Sequence, residues 1–448
     1  MTGDRAGTAT PFTTGAAAPA PEAGDALRLQ RVVVVGQGYV GLPLAMRAVE
    51  VGFDVVGFDS DKRKISALAA GESYIDDVTD ADVTAALATG SYLPSETEED
   101  LTDFDVAVIT VPTPLTDGAP DISYIEQATA TVARYLTAGA TVILESTTYP
   151  GTTEEVVAPM LEAASGLRAG SDFHLGYSPE RIDPGNEIWD FKRTPKVVSG
   201  IDADSLGVVR TFYDRLVEST VPVKGTREAE LTKLLENTFR HVNIALVNEL
   251  AIHARSMGID FWDVIQGAST KPFGFMPFYP GPGVGGHCLP VDPSYLSWRL
   301  ERQLGTVSRF VKIANDINNG MPAYVAGRIQ AGLNRRSKPV NGSRILVLGL
   351  AYKKNSNDAR ETPSTDLILR LLDLGADVRA HDTHVRSYEL DDRITRVETL
   401  SDEELDAADA VVLVTDHDDV DYHRVVGRCD YVLDTRRRLA DRAPVEHL

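Results

Sequence analysis

Two doubly wound, Rossmann-like domains joined by a long central helix, an α/β fold class, are what this 448-residue sequence predicts. Three observations carry that expectation. Strand-like apolar runs alternate with helix-like segments along most of the chain, the pattern of a mostly parallel sheet covered on both faces. A strand running straight into a glycine turn occurs twice, beginning at Arg31 and at Arg344. Between the two, Thr226 to Met257 holds apolar residues at helical spacing with no breaker.

Residues 1–27 are rich in Ala, Thr, Pro and Gly, with neither a basic start nor an apolar segment, so they read as a disordered tail and not as a secretory signal. The first domain is expected over residues 28–204. Val32 to Val35 is a buried-strand pattern that leads into Gly36-Gln37-Gly38-Tyr39-Val40-Gly41 and a helix-like segment. That arrangement receives a dinucleotide pyrophosphate: Gly36 makes the tight turn, Gly38 lets backbone reach the phosphates, Gly41 packs helix on sheet, and the helix N-terminus faces the anion. A second strand, Asp54 to Phe58, ends at Asp59, where an acidic side chain takes the adenosine ribose hydroxyls and repels a ribose phosphate, favouring NAD over NADP. Lys62 and Arg63 stand close by and read as the solvated start of a helix. Four more strands are expected at Val106 to Val111, Thr141 to Leu144, His174 to Tyr177 and Lys196 to Ser199.

Residues 205–335 form the expected helical middle. A helix as long as Thr226 to Met257 between two domains suits a subunit interface, so a homodimer or higher oligomer is expected. The same region holds Gly281 to Asp292, GPGVGGHCLPVD, which embeds Cys288 among glycines that admit close backbone approach and prolines that fix shape. Asn334 to Ser343 is a polar linker or turn, and residues 336–448 form the second domain, with strands from Arg344 and at Asp377 to Ala380, Ala410 to Val414 and Tyr431 to Asp434. Its turn, Gly349-Leu350-Ala351-Tyr352-Lys353-Lys354, has lysines in place of further glycines, which suits a nucleotide phosphate better than a second dinucleotide.

Composition narrows the function classes. A hydrophobic content of 43% supplies real cores, and a formal net charge of −22 argues against nucleic acid or an anionic membrane as a partner. No apolar run approaches the length that spans a bilayer. Two cysteines, Cys288 and Cys429, give no disulfide framework, and nine scattered histidines make no metal-ligand spacing, so a reduced, cytoplasmic setting and no metal are expected.

Seven motifs, in order, converge on one family: GQGYVGLPLA, TVPTP from Thr110, ESTTYPGTT from Glu145, YSPERIDPG from Tyr177, ELTKLLEN from Glu230, PGVGGHCLPVDP from Pro282 and GLAYKKNSNDARETPS from Gly349. Together they resemble the UDP-glucose/GDP-mannose dehydrogenase family, from about Arg31 to Leu439. The resemblance implies an NAD domain, a central dimerising helix, a carboxy-terminal domain that grips a UDP-sugar, and an active site in the cleft. It also implies a reaction, the double oxidation of a sugar C6 alcohol to a uronic acid at the expense of two NAD and one water. A nucleophile is needed because an aldehyde does not readily give up hydride until something adds to it; a thiolate forms a thiohemiacetal whose oxidation leaves a hydrolysable thioester.

Residue by residue, the resemblance makes Cys288 the nucleophile, Lys233 and Asn237 the holders of a developing oxyanion, with the lysine also able to move a proton, Asp292 the aspartate that orients water and the lysine, and Glu180 the glutamate associated with water activation. Lys233 and Asn237, four residues apart, share a helix face. Thr113 and Thr147 match loop positions bordering the dinucleotide. Arg181, Gly285, Lys353 and Arg436, with Lys233 and Asn237, fall on the substrate side, and Arg360 lies in the same stretches. The branch that oxidises UDP-N-acetylhexosamines is the best match, since Ser178-Pro179-Glu180-Arg181 and His287 stand where the glucose-type branch commonly has NPEF and a serine. UDP-N-acetylglucosamine leads, UDP-N-acetylmannosamine comes next and UDP-glucose third. The reading of a different class, a nucleotide or redox sensor without turnover, would not need Cys288, Lys233, Asn237, Asp292 and Glu180 together.

Overall fold

The computed structural model describes residues 29–75, 77–116, 118–182, 188–286, 288–386, 388 and 390–448, apart from the side chains of Cys288 and Pro290. The expected amino-terminal tail, His287 and part of the SPERIDPG motif lie outside the described residues.

Eight strands form the first sheet: β1 (Arg31–Val35), β2 (Asp54–Phe58), β3 (Tyr92–Ser95), β4 (Val106–Ile109), β5 (Thr141–Leu144), β6 (His174–Tyr177), β7 (Lys196–Gly200) and β8 (Thr220–Pro222). Their spatial order is β8-β7-β6-β5-β4-β1-β2-β3, parallel except where β6 meets β7. The chain runs outward from β1 through β2 and β3, then returns to β4 on the other side. That reversal opens a crevice at the carboxyl ends of β1 and β4, the place where such sheets bind ligands. Valines 32, 33 and 34 are fully buried, which explains the unbroken apolar run: a central parallel strand faces a helical layer on each side.

The turn after β1 behaves as its glycines predict. Gly36 has φ +98°, and a Cβ there would lie 2.8 Å from the Thr110 carbonyl oxygen; Gly41, first residue of α1 (Gly41–Glu50), sits against the Gly36 carbonyl, where no side chain fits. A Cβ on Gly38 would meet nothing within 4 Å, so that α-carbon faces open space.

Past residue 204 the elements of this sheet continue. Helix α2 (Ala203–Leu216) packs on β6 and β7, and β8 pairs with β7. Then comes α3 (Thr226–Ser256), 31 residues long, close to the expected Thr226 to Met257. It runs beside α4 (Cys288–Leu304) and α5 (Arg309–Arg335). Cys288 therefore opens a helix, where the sequence suggested an irregular Gly/Pro segment through Asp292.

The second sheet holds β9 (Arg344–Leu348), β10 (Asp377–His381), β11 (Thr395–Arg396), β12 (Ala410–Leu413), β13 (Val432–Asp434) and β14 (Val445–His447), in the order β11-β10-β9-β12-β13-β14 and parallel throughout. It repeats the reversal about its first strand, giving the two doubly wound units that the sequence predicts. Among the described residues no helix is long and apolar enough to cross a membrane.

Candidate active site

Helix α4 packs along α3, and the first half of α3 reaches both the loop after β6 and the amino end of α4. Lys233 is nearly buried and donates to the Glu180 carbonyl at 2.6 Å, using one of the three donors of its ammonium. One turn on, the Asn237 amide donates to the Asp292 carboxylate. Asp292 is itself one turn into the helix that begins at Cys288. Burial pushes its carboxyl up to about 6, against the pull of Lys233 and of the Asn237 hydrogen bond. The structure thus brings Lys233, Asn237, Asp292 and Glu180 around the start of α4.

Glu180 is held on both oxygens. One accepts from the backbone N–H of Arg181, at 2.5 Å, and of Ile182, and the other lies 3.3 Å from Lys196 Nζ. The Arg181 guanidinium is engaged with Glu236 on α3, at 2.7 Å, and with the Pro195 carbonyl, at 2.6 Å.

Glycines 283, 285 and 286 serve a purpose the sequence did not disclose. A Cβ on Gly285 would lie 2.8 Å from both the Glu361 carbonyl and Tyr352, and one on Gly286, at φ +84°, would meet the Tyr352 ring at 2.8 Å. A Cβ on Gly283 would meet Pro363 at 2.9 Å. The missing side chains let this segment press against the second domain, and the N–H of Gly286 donates to the Arg360 carbonyl at 3.2 Å. At the other end Gly281 donates to Asn248 on α3 at 2.9 Å and lies against Arg436. Lys353 sits in the turn after β9, next to that same Tyr352.

On the dinucleotide side, Asp59 caps the turn after β1. One carboxylate oxygen accepts from the Gln37 N–H and from Lys64 Nζ, both at 2.9 Å, and the other accepts from the Asp61 N–H at 2.9 Å. Thr113 is buried, its carbonyl taking the hydroxyl of Tyr295 from α4, and Thr147 stands half-buried in the loop after β5. The Arg360 guanidinium lies 5.1 Å from the Tyr39 ring centroid, joining the second domain to the glycine turn of the first.

Several participants escaped the sequence reading. Glu230, fully buried on α3, takes the N–H of Gly151 at 2.5 Å and both the N–H and the hydroxyl of Thr153, at 2.9 and 2.7 Å, tying the ESTTYPGTT loop to the helix that carries Lys233. Lys196, Glu145 and Tyr213 make a buried polar group behind Glu180. The only hints were a lysine opening an otherwise apolar strand and a glutamate ending another.

Known proteins resemble the chain along most of its length. The UDP-glucose/GDP-mannose dehydrogenase family's NAD binding domain matches residues 30–217, its central domain residues 227–320 and its UDP binding domain residues 346–441. The chain belongs to that family. It is 36% identical over 388 residues to a UDP-N-acetyl-D-mannosamine dehydrogenase of Pyrococcus horikoshii, covering 86% of this chain and 89% of the relative. To a UDP-N-acetyl-D-glucosamine 6-dehydrogenase of Pseudomonas aeruginosa it is 36% identical over 422 residues, covering 92% and 97%. The solved structure of the UDP-D-ManNAc dehydrogenase from P. horikoshii superposes with a TM-score of 0.85 at 33% identity, covering 93% of this chain and 98% of that one. The chain is an NAD-dependent UDP-sugar dehydrogenase, and the residues present fit NAD: the Gly38 α-carbon faces open space beside the start of α1, so no side chain bars a phosphate from the backbone of the turn.

Proposed function

We propose that the enzyme oxidises the C6 alcohol of UDP-N-acetylglucosamine twice, to the uronic acid, through a thiohemiacetal and then a thioester on Cys288. What supports this reading most is the convergence of Lys233, Asn237, Asp292 and Glu180 on the start of the helix that Cys288 opens. The amino end of a helix favours an anion, which suits a residue that reacts as its thiolate.

NAD, when bound, supplies the acceptor for the two hydrides. The chain's own groups do the rest. Lys233 and Asn237 have N–H donors to stabilise the alkoxide of the first step and the oxyanion of the adducts that follow. Asp292, lifted to about 6, is close enough to neutrality to exchange a proton with Lys233 or with water. Glu180 takes the proton of the water that opens the thioester. Lys353, Arg436 and the Gly285 segment are the groups assigned to the UDP-sugar, with Arg181 bracing the loop that carries Glu180. Cytoplasmic residence and a homodimer formed through α3 belong to the same proposal.

The choice of sugar rests on Ser178-Pro179-Glu180-Arg181 and the GGHCLPVDP variant, as well as on the P. aeruginosa relative. A second reading, UDP-N-acetylmannosamine, is favoured by the P. horikoshii relative at the same identity. Following NADH formation with UDP-N-acetylglucosamine, UDP-N-acetylmannosamine, UDP-glucose, UDP-galactose and GDP-mannose, each with NAD and with NADP, decides between them. The expected result is the highest kcat/KM with UDP-N-acetylglucosamine and NAD. A clear preference for UDP-N-acetylmannosamine or UDP-glucose overturns the assignment of the sugar.

A further inference from the structure

Behind Glu180 lies a set of charges that the proposed chemistry leaves unused. Lys196, the first residue of β7, is 4% exposed; its ammonium donates to one oxygen of Glu145 and lies 3.3 Å from Glu180 Oε2. Glu145 follows β5, and its other oxygen accepts the hydroxyl of Tyr213 from α2 at 2.5 Å. The ammonium also lies 5.3 and 5.5 Å from the ring centroids of Tyr213 and Phe191.

Two carboxylates and one ammonium, all ionised, would leave a net negative charge in the interior, which burial opposes. The environment separates the two acids. Burial pushes the Glu145 carboxyl up, against the attraction of Lys196. Burial would also raise Glu180, but Lys196, a hydrogen bond shared with Glu145, Lys233 and the Ile182 N–H together outweigh it and draw Glu180 below its ordinary range. The surroundings drive the two acids apart, Glu145 toward its neutral form and Glu180 toward its charged form.

We infer that Lys196, braced by Glu145 and Tyr213, is a positioning residue for Glu180: its ammonium fixes the Glu180 carboxylate in place and keeps it anionic, ready to accept a proton from water. This rests on the reading of Glu180 as the water-activating carboxylate. In that step the water oxygen bonds to the acyl carbon, the C–S bond breaks, the free acid departs, and the water proton passes to Glu180 as sulfur leaves with the electron pair. The titratable and charged groups around Glu180 are Glu145 after β5, Tyr177 on β6, Lys196 on β7 and Tyr213 on α2. Lys233 faces it from α3; Glu230 on α3 and Asp292 on α4 act on the neighbouring Tyr177, and Glu236 on α3 pairs with Arg181. Among them Lys196 and Lys233 supply the cationic charge, and Lys233 donates to the Glu180 backbone carbonyl.

The test uses the full-length enzyme with its best UDP-sugar and NAD. It compares wild type, Lys196→Met, Lys196→Arg, the double variant Lys196→Met/Glu145→Met, and Glu180→Gln. The readouts are the pH profile of kcat, the KM of each substrate, and mass spectrometry of acid-quenched enzyme for an acyl adduct on Cys288. The wild-type acid limb carries Asp292, lifted by burial to about 6. Without Lys196 the Glu180 carboxyl rises as well. The limb then steepens toward two protons and moves up by about one pH unit or more. KM values stay within about twofold, since Lys196 acts through Glu180 and not on a substrate. The acyl adduct accumulates below the shifted limb, and Lys196→Arg, which keeps the cation, restores most of the profile. The double variant also removes the Glu145 carboxyl that would otherwise be left buried beside Glu180, so it keeps the test open if Lys196→Met fails to fold; Lys233 remains the one cation drawn on by Glu180, and the same shifted limb is expected. A folded double variant with the wild-type limb and no adduct overturns the inference, even where Glu180→Gln is inactive and the reading of Glu180 stands. Wild-type turnover in Glu180→Gln overturns that reading, and the inference with it.

Discussion

Two cysteines in one chain give an internal control on the covalent step. Cys429 is buried behind the second sheet, its thiol donates to the Leu405 carbonyl at 3.4 Å, and burial pushes it up to about 11. Near neutrality it holds its proton and has no path to a nucleotide-sugar. Cys288 opens α4 beside Lys233, Asn237 and Asp292. Cys288→Ser should stop net uronic acid formation, because a serine alkoxide is scarce at neutral pH and an ester hydrolyses less readily than a thioester, while Cys429→Ser should leave turnover nearly unchanged. Quenched-flow mass spectrometry, with NADH counted per sugar, checks both. Two NADH per sugar at the wild-type rate from Cys288→Ser would rule out the covalent route.

Elements differ in how openly the sequence declares them. Central strands such as β1 and β4 are apolar throughout and were legible, as was α3 with its uninterrupted helical period. The strands of the two sheets left unread all lie at sheet edges: β3, YLPS, carries Pro94; β8, TVP, is three residues long with Pro222 and an exposed Val221; β11 and β14 are two and three residues long. Edge strands need neither alternation nor length, and prolines are tolerated there. Helix α4 was hidden for a related reason, since Pro290 and Pro293 read as breakers: Pro290 falls in the first turn, which has no N–H partner to lose, whereas Pro293 lies inside the helix and forgoes one bond of its ladder. The candidate site was legible where its residues share one helix face or one motif, as with Lys233 and Asn237. It was illegible where partners come from three separate elements, as with Glu145, Lys196 and Tyr213. Glu230 belongs to the second kind. It anchors the loop after β5 to α3, and burial lifts its carboxyl to about 7 against hydrogen bonds from Thr153 and Gly151. Glu230→Ala strands the Gly151 and Thr153 N–H groups and should cost roughly 2–4 kcal/mol. Differential scanning calorimetry should record a lower melting temperature, accompanied by a higher KM for NAD because Thr147 lies in the loop set free. An unchanged melting temperature would mean that the loop holds itself.

At the scale of the molecule, α3 has two opposed faces with different work. Ala229, Glu230, Lys233, Leu234, His241, Ala245, Asn248 and Ala251 are buried, and they turn toward the sheet, α4 and α5. Leu231, Leu235, Phe239, Leu246 and Leu250 are 43%, 64%, 49%, 50% and 42% exposed, and at 3.6 residues per turn they fall within about 100° of arc on the opposite side. A solvated helix of a monomer would carry charges there; a continuous apolar stripe several turns long suits burial against another copy, with the same surface used on both. Because Lys233 and Asn237 project from the other side of this one helix, self-association would stiffen the element that positions them. Leu235→Glu/Phe239→Glu places two like charges in the middle of the stripe, and each would face its symmetry mate or a close neighbour across a two-fold contact. Sedimentation velocity should find the wild type as a dimer or larger and the double variant shifted to monomer, with kcat reduced and far-UV circular dichroism unchanged. A wild type that sediments as a monomer, or a double variant whose mass does not change, would assign the stripe to something other than self-association.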